Sequence, residues 1–400
     1  MTDTDPGPLV HTADFPFPHH DGLGPLDEFA ALRSAAPCAR IRLPSGDSAW
    51  LVTRYADVRT VLADPRFSRT RATRGAGPRI ARVPTLPDSI LAADPPEHTR
   101  LRKLVAPAFT GRRAEAMRRD VARLVEELLD QLAAHDRPAD LVQLFARPLP
   151  LAVICALLGV PRQDGEQLDA WCDALRNLTA LADTEVTAVV GEMTGYLTAL
   201  VAAKRRHPGD DVLSTLIAAR DESDRLSQDE LISFSLVLLA GGYGTTADRL
   251  GGMVHLLLDE PGRYRRLRQE PDTIPRAVEE LLRYAQTNVQ ANLRIATEQI
   301  ELGGVTIAEG EAVMAVNSSA NHDETVFDDP GLLDLDRDHN PHIGFGHGPH
   351  HCVGAQVARV QLQEALAGLV RRFPELRAAA PPEWKTGLST RAPRTLPVTW

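Results

Sequence analysis

Three imidazoles, a thiol and a phenyl ring are crowded among three glycines in FGHGPHHCVG, Phe345 to Gly354. A thiol in such company can help hold zinc, attack as a nucleophile, anchor a c-type haem covalently, or bind a metal as its sole protein ligand. Zinc wants four ligands at short paired spacings, and the other cysteines, Cys38, Cys155 and Cys172, all lie far away in sequence. Covalent haem attachment needs Cys-x-x-Cys-His, which is absent. A nucleophile with His350 or His351 as its base stays open, although adjacent residues seldom present both side chains to one reacting atom. A single thiolate ligand fits best. Gly346 and Gly348 permit a tight turn with positive φ, and Gly354 removes a side chain where a flat cofactor would press on the following segment.

That segment, VGAQVARVQLQEALAGLVRRF, has the period of an amphipathic helix with basic residues at its end, so Cys352 is expected at a helix N-terminus, where the dipole lowers a thiol pKa. A second anomaly lies upstream. LLAGGYGTTAD, Leu238 to Asp248, puts three glycines and two threonines inside what reads as one long helix, at about 1 kcal/mol per mid-helix glycine. A broken local rule of this kind often marks a function. Ser227-Gln-Asp-Glu230 is a capping box that starts this helix, with Leu226 and Leu231 as a hydrophobic staple.

Around these pieces, ARIRLPSGDSAWLVT predicts a hairpin from about Ala39 to Thr53, followed by a short helix in RYADVRTVLAD. Apolar positions three and four apart make the chain helical from Glu97 to Leu226. QIELGGVTIAEGEAVMAV predicts small hairpins between Ile300 and Val316, and RTLPVTW a last strand. The class is mainly α with a minor β region. Residues 1–20 read as an extended arm, without a secretion-signal pattern, and residues 21–400 as one domain. The net charge of −10 and only 5% aromatics argue against nucleic acid. The longest nearly apolar run, Pro148 to Val160, is far short of the roughly 20 residues a membrane span needs. Scattered cysteines suit a reducing, cytoplasmic compartment, with Cys38, Cys155 and Cys172 as core residues.

Phe-Gly-x-Gly-x-His-x-Cys-x-Gly resembles the haem-binding loop of the cytochrome P450 family, in its soluble bacterial branch, with each usual fixed position filled. The resemblance implies the P450 fold, a triangular helical prism with small β-sheets. It implies haem b, held non-covalently, with Cys352 as iron ligand favouring O–O cleavage and Phe345 shielding the sulfur. His350 would turn to a propionate, with His98, Arg102 and Arg294 as further propionate partners, while His347 and His351 would lie at the surface. Glu280 and Arg283, one helical turn apart, would form with Arg337 a brace that holds the loop.

On the distal side Thr245, followed by Thr246, matches the family's oxygen-activating threonine, which delivers protons. The residue before it is usually Asp or Glu. Here it is Gly244, which puts that proton route in doubt and leaves Asp248, or a polar group of the substrate, to feed it. By analogy the substrate pocket draws on residues 85–92, the helices around Trp171 and Cys172, residues 236–243, residues 288–292 and the turn near Ser389. Leu86, Ile90, Leu239, Gly241, Val289, Gln290 and Asn292 are the individual candidates. The amides there favour a functionalised secondary metabolite.

The implied activity is a monooxygenase that uses dioxygen to hydroxylate or epoxidise a small molecule. An acidic ferredoxin and its reductase would carry electrons from NAD(P)H, docking on Lys103, Arg112, Arg113, Arg118 and Arg119. A monomer is expected. An oxidase or peroxide user is the second reading, made stronger by Gly244, and a haem-binding sensor without catalysis the third.

Overall fold

Ser227 starts the longest helix, Gln228–Asp259, by a reciprocal cap. Its hydroxyl accepts from the Glu230 N–H at 3.0 Å, and the Glu230 carboxylate accepts from the Ser227 N–H at 2.7 Å. Leu226 and Leu231 are both buried beside it, as the staple requires. The helix then runs through Gly241, Gly242 and Gly244 without a break, because packing on both flanks outweighs local propensity. One glycine has a packing reason: a Cβ on Gly242 would lie 2.9 Å from Ile154 of the helix Pro148–Leu158. The computed structural model that shows this describes residues 13–17, 22–43, 45–74, 89–176, 183–223, 226–285, 287, 292–385 and 391–400.

The long helix lies at the centre of the main apolar core, against Pro148–Leu158, Gly165–Arg176, Asp183–Arg206 and Ala355–Arg372. Cys155 and Cys172 belong to this core, and Cys38 to a smaller one beside the sheet. Among the described residues between Glu97 and Leu226 the expected helices form, with short 3-10 turns at Ala106–Phe109 and Arg162–Asp164 and two larger departures. Ala139–Asp140 is a short strand paired antiparallel to Pro397–Thr399, and Val142–Ala146 is a single π-turn. Neither leaves a mark in the 3.6-residue period, since a strand of two residues has no alternation to read.

The hairpin forms as Cys38–Arg42 against Ser48–Val52, and Tyr55–Ala63 is the helix after it. The expected hairpins after Thr297 need correcting. Ile300–Leu302 and Val305–Ile307 do pair with each other, but Ala312–Ala315 lies inside a six-stranded sheet, parallel to Ser48–Val52 and antiparallel to Asn292–Ala296. All four of its residues are buried, the pattern of a strand covered on both faces. This sheet aims Arg294. Leu293 and Ile295 pack into a third apolar cluster with Phe15, Phe17 and Phe29, so strand alternation turns Arg294 to the opposite face.

Leu86, Val289, Gln290, Ser389 and the N-terminal arm apart from residues 13–17 lie outside the described residues. Asn292 is described only in its strand backbone. Among the described residues no helix is long and apolar enough to cross a membrane.

Candidate active site

The cysteine loop is closed by its own backbone. Gly346 N–H donates to Ile343 O at 2.9 Å, His351 N–H to Gly348 O at 3.0 Å, and Cys352 N–H to Phe345 O at 2.9 Å. Gly346 and Gly348 take φ of 80° and 70°, the left-handed region that glycine enters without strain. Gly348 also docks the loop on the helix Tyr55–Ala63, where a Cβ would come within 2.6 Å of Leu62 O. Gly354 shows no comparable crowding: its Cβ would meet no described protein atom within 4 Å, which leaves open space beside the cysteine.

Cys38, Cys155 and Cys172 are buried, and Cys352 alone is exposed. Burial nevertheless pushes its thiol pKa up, with the Gly354 N–H, Arg102 and Arg359 pulling it down less strongly. A thiol that opens inward, with accessible surface but protein around it, meets both observations. The direction reverses the sequence expectation for a physical reason. The helix begins at Ala355 with Gly354 as its N-cap; the Gly354 N–H does lower the thiol pKa, as a helix N-terminus should, but burial raises it more.

Basic groups converge on the same side. His98 is buried on the helix Glu97–Val105, and its ring lies 4.1 Å from that of His350. Arg294 is 3% exposed. Arg69, which the sequence did not single out, joins them while donating to Leu91 O and Leu293 O. Burial first, then Arg294, His98, Arg69 and Arg102, push the His350 pKa down to about 2. Burial and Arg69 push Arg294 down to about 9. His98 is lowered by burial and then by Arg102, and Arg102 by burial. The carboxylate these groups feel, Asp94, is already occupied by Ser68 and by the Arg69 and Thr70 N–H groups. Guanidiniums crowded with imidazoles whose protonation they disfavour suit anions, and a pair of propionates would fit.

Behind the loop, Glu280 and Arg283 are fully buried. Arg283 grips Glu280 with two bonds of 2.8 and 2.7 Å, and also donates to the carbonyls of Asn321, Pro330 and Leu332. Arg337 Nε, Asn340 and the Asp334 N–H complete the carboxylate's bonds at 3.1, 3.2 and 3.0 Å. The cluster fixes the backbone that leads into the cysteine loop. His347 is half-buried and accepts from Arg59 at 3.3 Å, so only His351 is exposed as expected.

On the long helix, Gly241 and Thr245 are exposed one turn apart, while Gly244 and Thr246 are buried. Thr245 Oγ1 donates to Gly241 O at 2.7 Å. Asp248 is buried and accepts from Lys385 Nζ at 2.8 Å. Lys385 directly follows the strand Glu383–Trp384. Sequence reasoning missed Lys385. Of the expected substrate residues, Ile90 is buried and Leu239 fully buried in the main core, as are Trp171, Cys172 and Tyr243. Trp171 donates to Glu192, and Tyr243 to Asp169, which Arg147 also holds. Trp171 and Tyr243 thereby tie helices together; Gly241 is exposed.

Residues 196–376 match the family model described as Cytochrome P450. The chain is 46% identical to nocardicin C N-oxygenase of Nocardia uniformis subsp. tsuyamanensis, over 100% of both chains. The chain belongs to the cytochrome P450 family. This P450 is also 43% identical to mycinamicin IV hydroxylase/epoxidase of Micromonospora griseorubida, over 96% of this chain and 98% of the other. Among solved structures, the LnmA cytochrome P450 hydroxylase from the leinamycin pathway of Streptomyces atroolivaceus superposes with a TM-score of 0.90 at 45% identity, covering 97% of this chain and 100% of that one. The P450 is therefore a monooxygenase of the P450 fold, and its family carries a thiolate-ligated haem that reacts with dioxygen.

Proposed function

We propose that Cys352 is the thiolate ligand, and that this P450 oxygenates a functionalised small metabolite with electrons from a ferredoxin and its reductase, as a cytoplasmic monomer of one domain spanning residues 21–400. The carrying observation is the exposed Cys352 thiol at the edge of a cluster of basic groups, His98, Arg102, Arg294 and His350, in which the two arginines lower both histidines. When bound, the haem would supply electron transfer and dioxygen chemistry at a thiolate-ligated iron. Arg102, Arg294 and the two histidines hold its propionates, and Phe345 screens the sulfur from water. Glu280, Arg283 and Arg337 hold the loop in register.

Thr245 holds its proton on Gly241 O and can rotate it toward the distal side. Gly244 has no side chain to resupply that proton, and Asp248 is engaged by Lys385. A substrate amine or hydroxyl at the exposed Gly241–Thr245 face supplies it in this reading. The names of two relatives, an N-oxygenase for nocardicin C and a hydroxylase/epoxidase for mycinamicin IV, support substrates of this kind. Gly244 favours one second reading, a peroxide-dependent oxidase, which would turn over without a ferredoxin.

Lys103, Arg112, Arg113 and Arg119 are exposed, and Arg112 and Arg113 lie on the short helix Gly111–Ala116, which packs on the cysteine helix Ala355–Arg372. They form the ferredoxin patch. Arg118 leaves it, since Glu115 and Glu364 bind its guanidinium. The test supplies the holoprotein with a ferredoxin and its reductase and follows dioxygen use and oxygenated product from amine- or hydroxyl-bearing metabolites that change the iron spin state. Product that needs the ferredoxin supports the proposal; product from peroxide alone at the same rate overturns it.

A further inference from the structure

Glu279, the neighbour of the brace carboxylate, has a different task. It binds Arg359 of the cysteine helix through two parallel bonds, Nε to Oε1 at 2.7 Å and Nη2 to Oε2 at 2.9 Å. His342 closes the other side, with Nε2 at 2.9 Å from Glu279 Oε2. The Gly344 N–H points at His342 Nδ1 at 3.1 Å, which makes Nε2 the nitrogen that donates to Glu279. The guanidinium so fixed lies 4.6 Å from the centre of the Phe345 ring. Phe345 is the residue whose carbonyl accepts from Cys352 N–H. A forked, planar cation held by a carboxylate and stacked on an aromatic face has little freedom left.

We propose that Arg359, held by Glu279 and His342, is a positioning residue that fixes Phe345 beside Cys352 and keeps a permanent positive charge there, raising the reduction potential of the bound iron. The inference rests on the reading of Cys352 as the ligand. Arg102 also acts electrostatically on this thiol, but it belongs to the propionate cluster, where its charge would be offset. Among the described residues, Arg359 is paired with Glu279. The two charges of the pair therefore have opposite effects on an electron added at the iron.

The test is the ferric/ferrous midpoint potential of purified holoprotein, measured for the native chain, Arg359→Met, Arg359→Lys and Glu279→Gln, with the carbon monoxide difference spectrum of each as the check on thiolate ligation. Arg359→Met is expected to shift the equilibrium about tenfold toward ferric, about 59 mV more negative for a one-electron couple. Glu279→Gln is expected to shift it positive, and Arg359→Lys to recover most of the native value. Opposite signs for the two charge removals are something a purely structural role does not produce. Potentials that stay unchanged, or move in the same direction, with the thiolate signature intact overturn the inference and leave Cys352 as ligand untouched. Should Arg359→Met lose its haem, the signs for Glu279→Gln and Arg359→Lys decide. A native holoprotein without the thiolate signature fails the ligand reading itself.

Discussion

Glu280 and Arg283 meet with both side chains fully out of solvent, joined by bonds of 2.8 and 2.7 Å. Their spacing, three residues on a helix, is that of countless surface pairs worth a few tenths of a kcal/mol. Burial changes the scale, because removing one partner leaves the other charge unpaired inside the protein, at about 3–5 kcal/mol. Glu280→Gln is expected to lower unfolding free energy by about that amount in urea titrations and to reduce the haem content of the purified protein. A loss under about 1 kcal/mol, the surface-pair value, would contradict the role given to the brace.

Arg294 reaches the basic cluster from a strand whose neighbours face the other way. A hydrogen bond to a charged group is worth ~1.5–3 kcal/mol, so Arg294→Met should speed haem transfer to an acceptor apoprotein by about tenfold or more. An unchanged transfer rate would remove Arg294 from the propionate site.

Thr245→Ala is expected to leave haem content intact while product per dioxygen consumed falls several-fold, with Thr245→Ser close to native. Undiminished coupling in the alanine variant would end the proton-delivery role. Gly244→Asp restores a carboxylic acid beside Thr245, and should change coupling or product distribution for substrates that lack an amine or hydroxyl more than for those that carry one.

Glu279 gives a pH prediction. Burial alone would raise its pKa, but the bonds from His342 and Arg359 outweigh it and hold the value at about 2, against an ordinary 4.5. A depressed carboxylate adds stability that is fully present above its unfolded pKa and is lost as pH falls through its folded one. Stability should therefore decline between about pH 4.5 and about pH 2, and Glu279→Gln should flatten that part of the urea-midpoint profile.

The chemistry-bearing loop was legible in the sequence because its fixed glycines, histidine and cysteine sit at short, local spacings. The long helix was legible too, since Ser227 and Glu230 form the cap that their order implies. What escaped was assembled from distant segments. Lys385 finds Asp248 across 137 residues, and Arg359 finds Glu279 across 80; no periodicity encodes either pair. The direction of the Cys352 thiol pKa was not legible because burial, which depends on how distant segments pack, outweighs the lowering by the Gly354 N–H. Leu239 was named as a substrate residue by family analogy, and its full burial in the main core was not legible because which flank of a helix faces inward depends on packing against other helices.

The bond between the Cys352 sulfur and the haem iron is the central claim, and the reduced carbon monoxide difference spectrum of purified holoprotein tests it most directly. The native chain should show the thiolate-ligated band, and Cys352→Ala should lose it. A thiolate band that persists in Cys352→Ala would contradict the account.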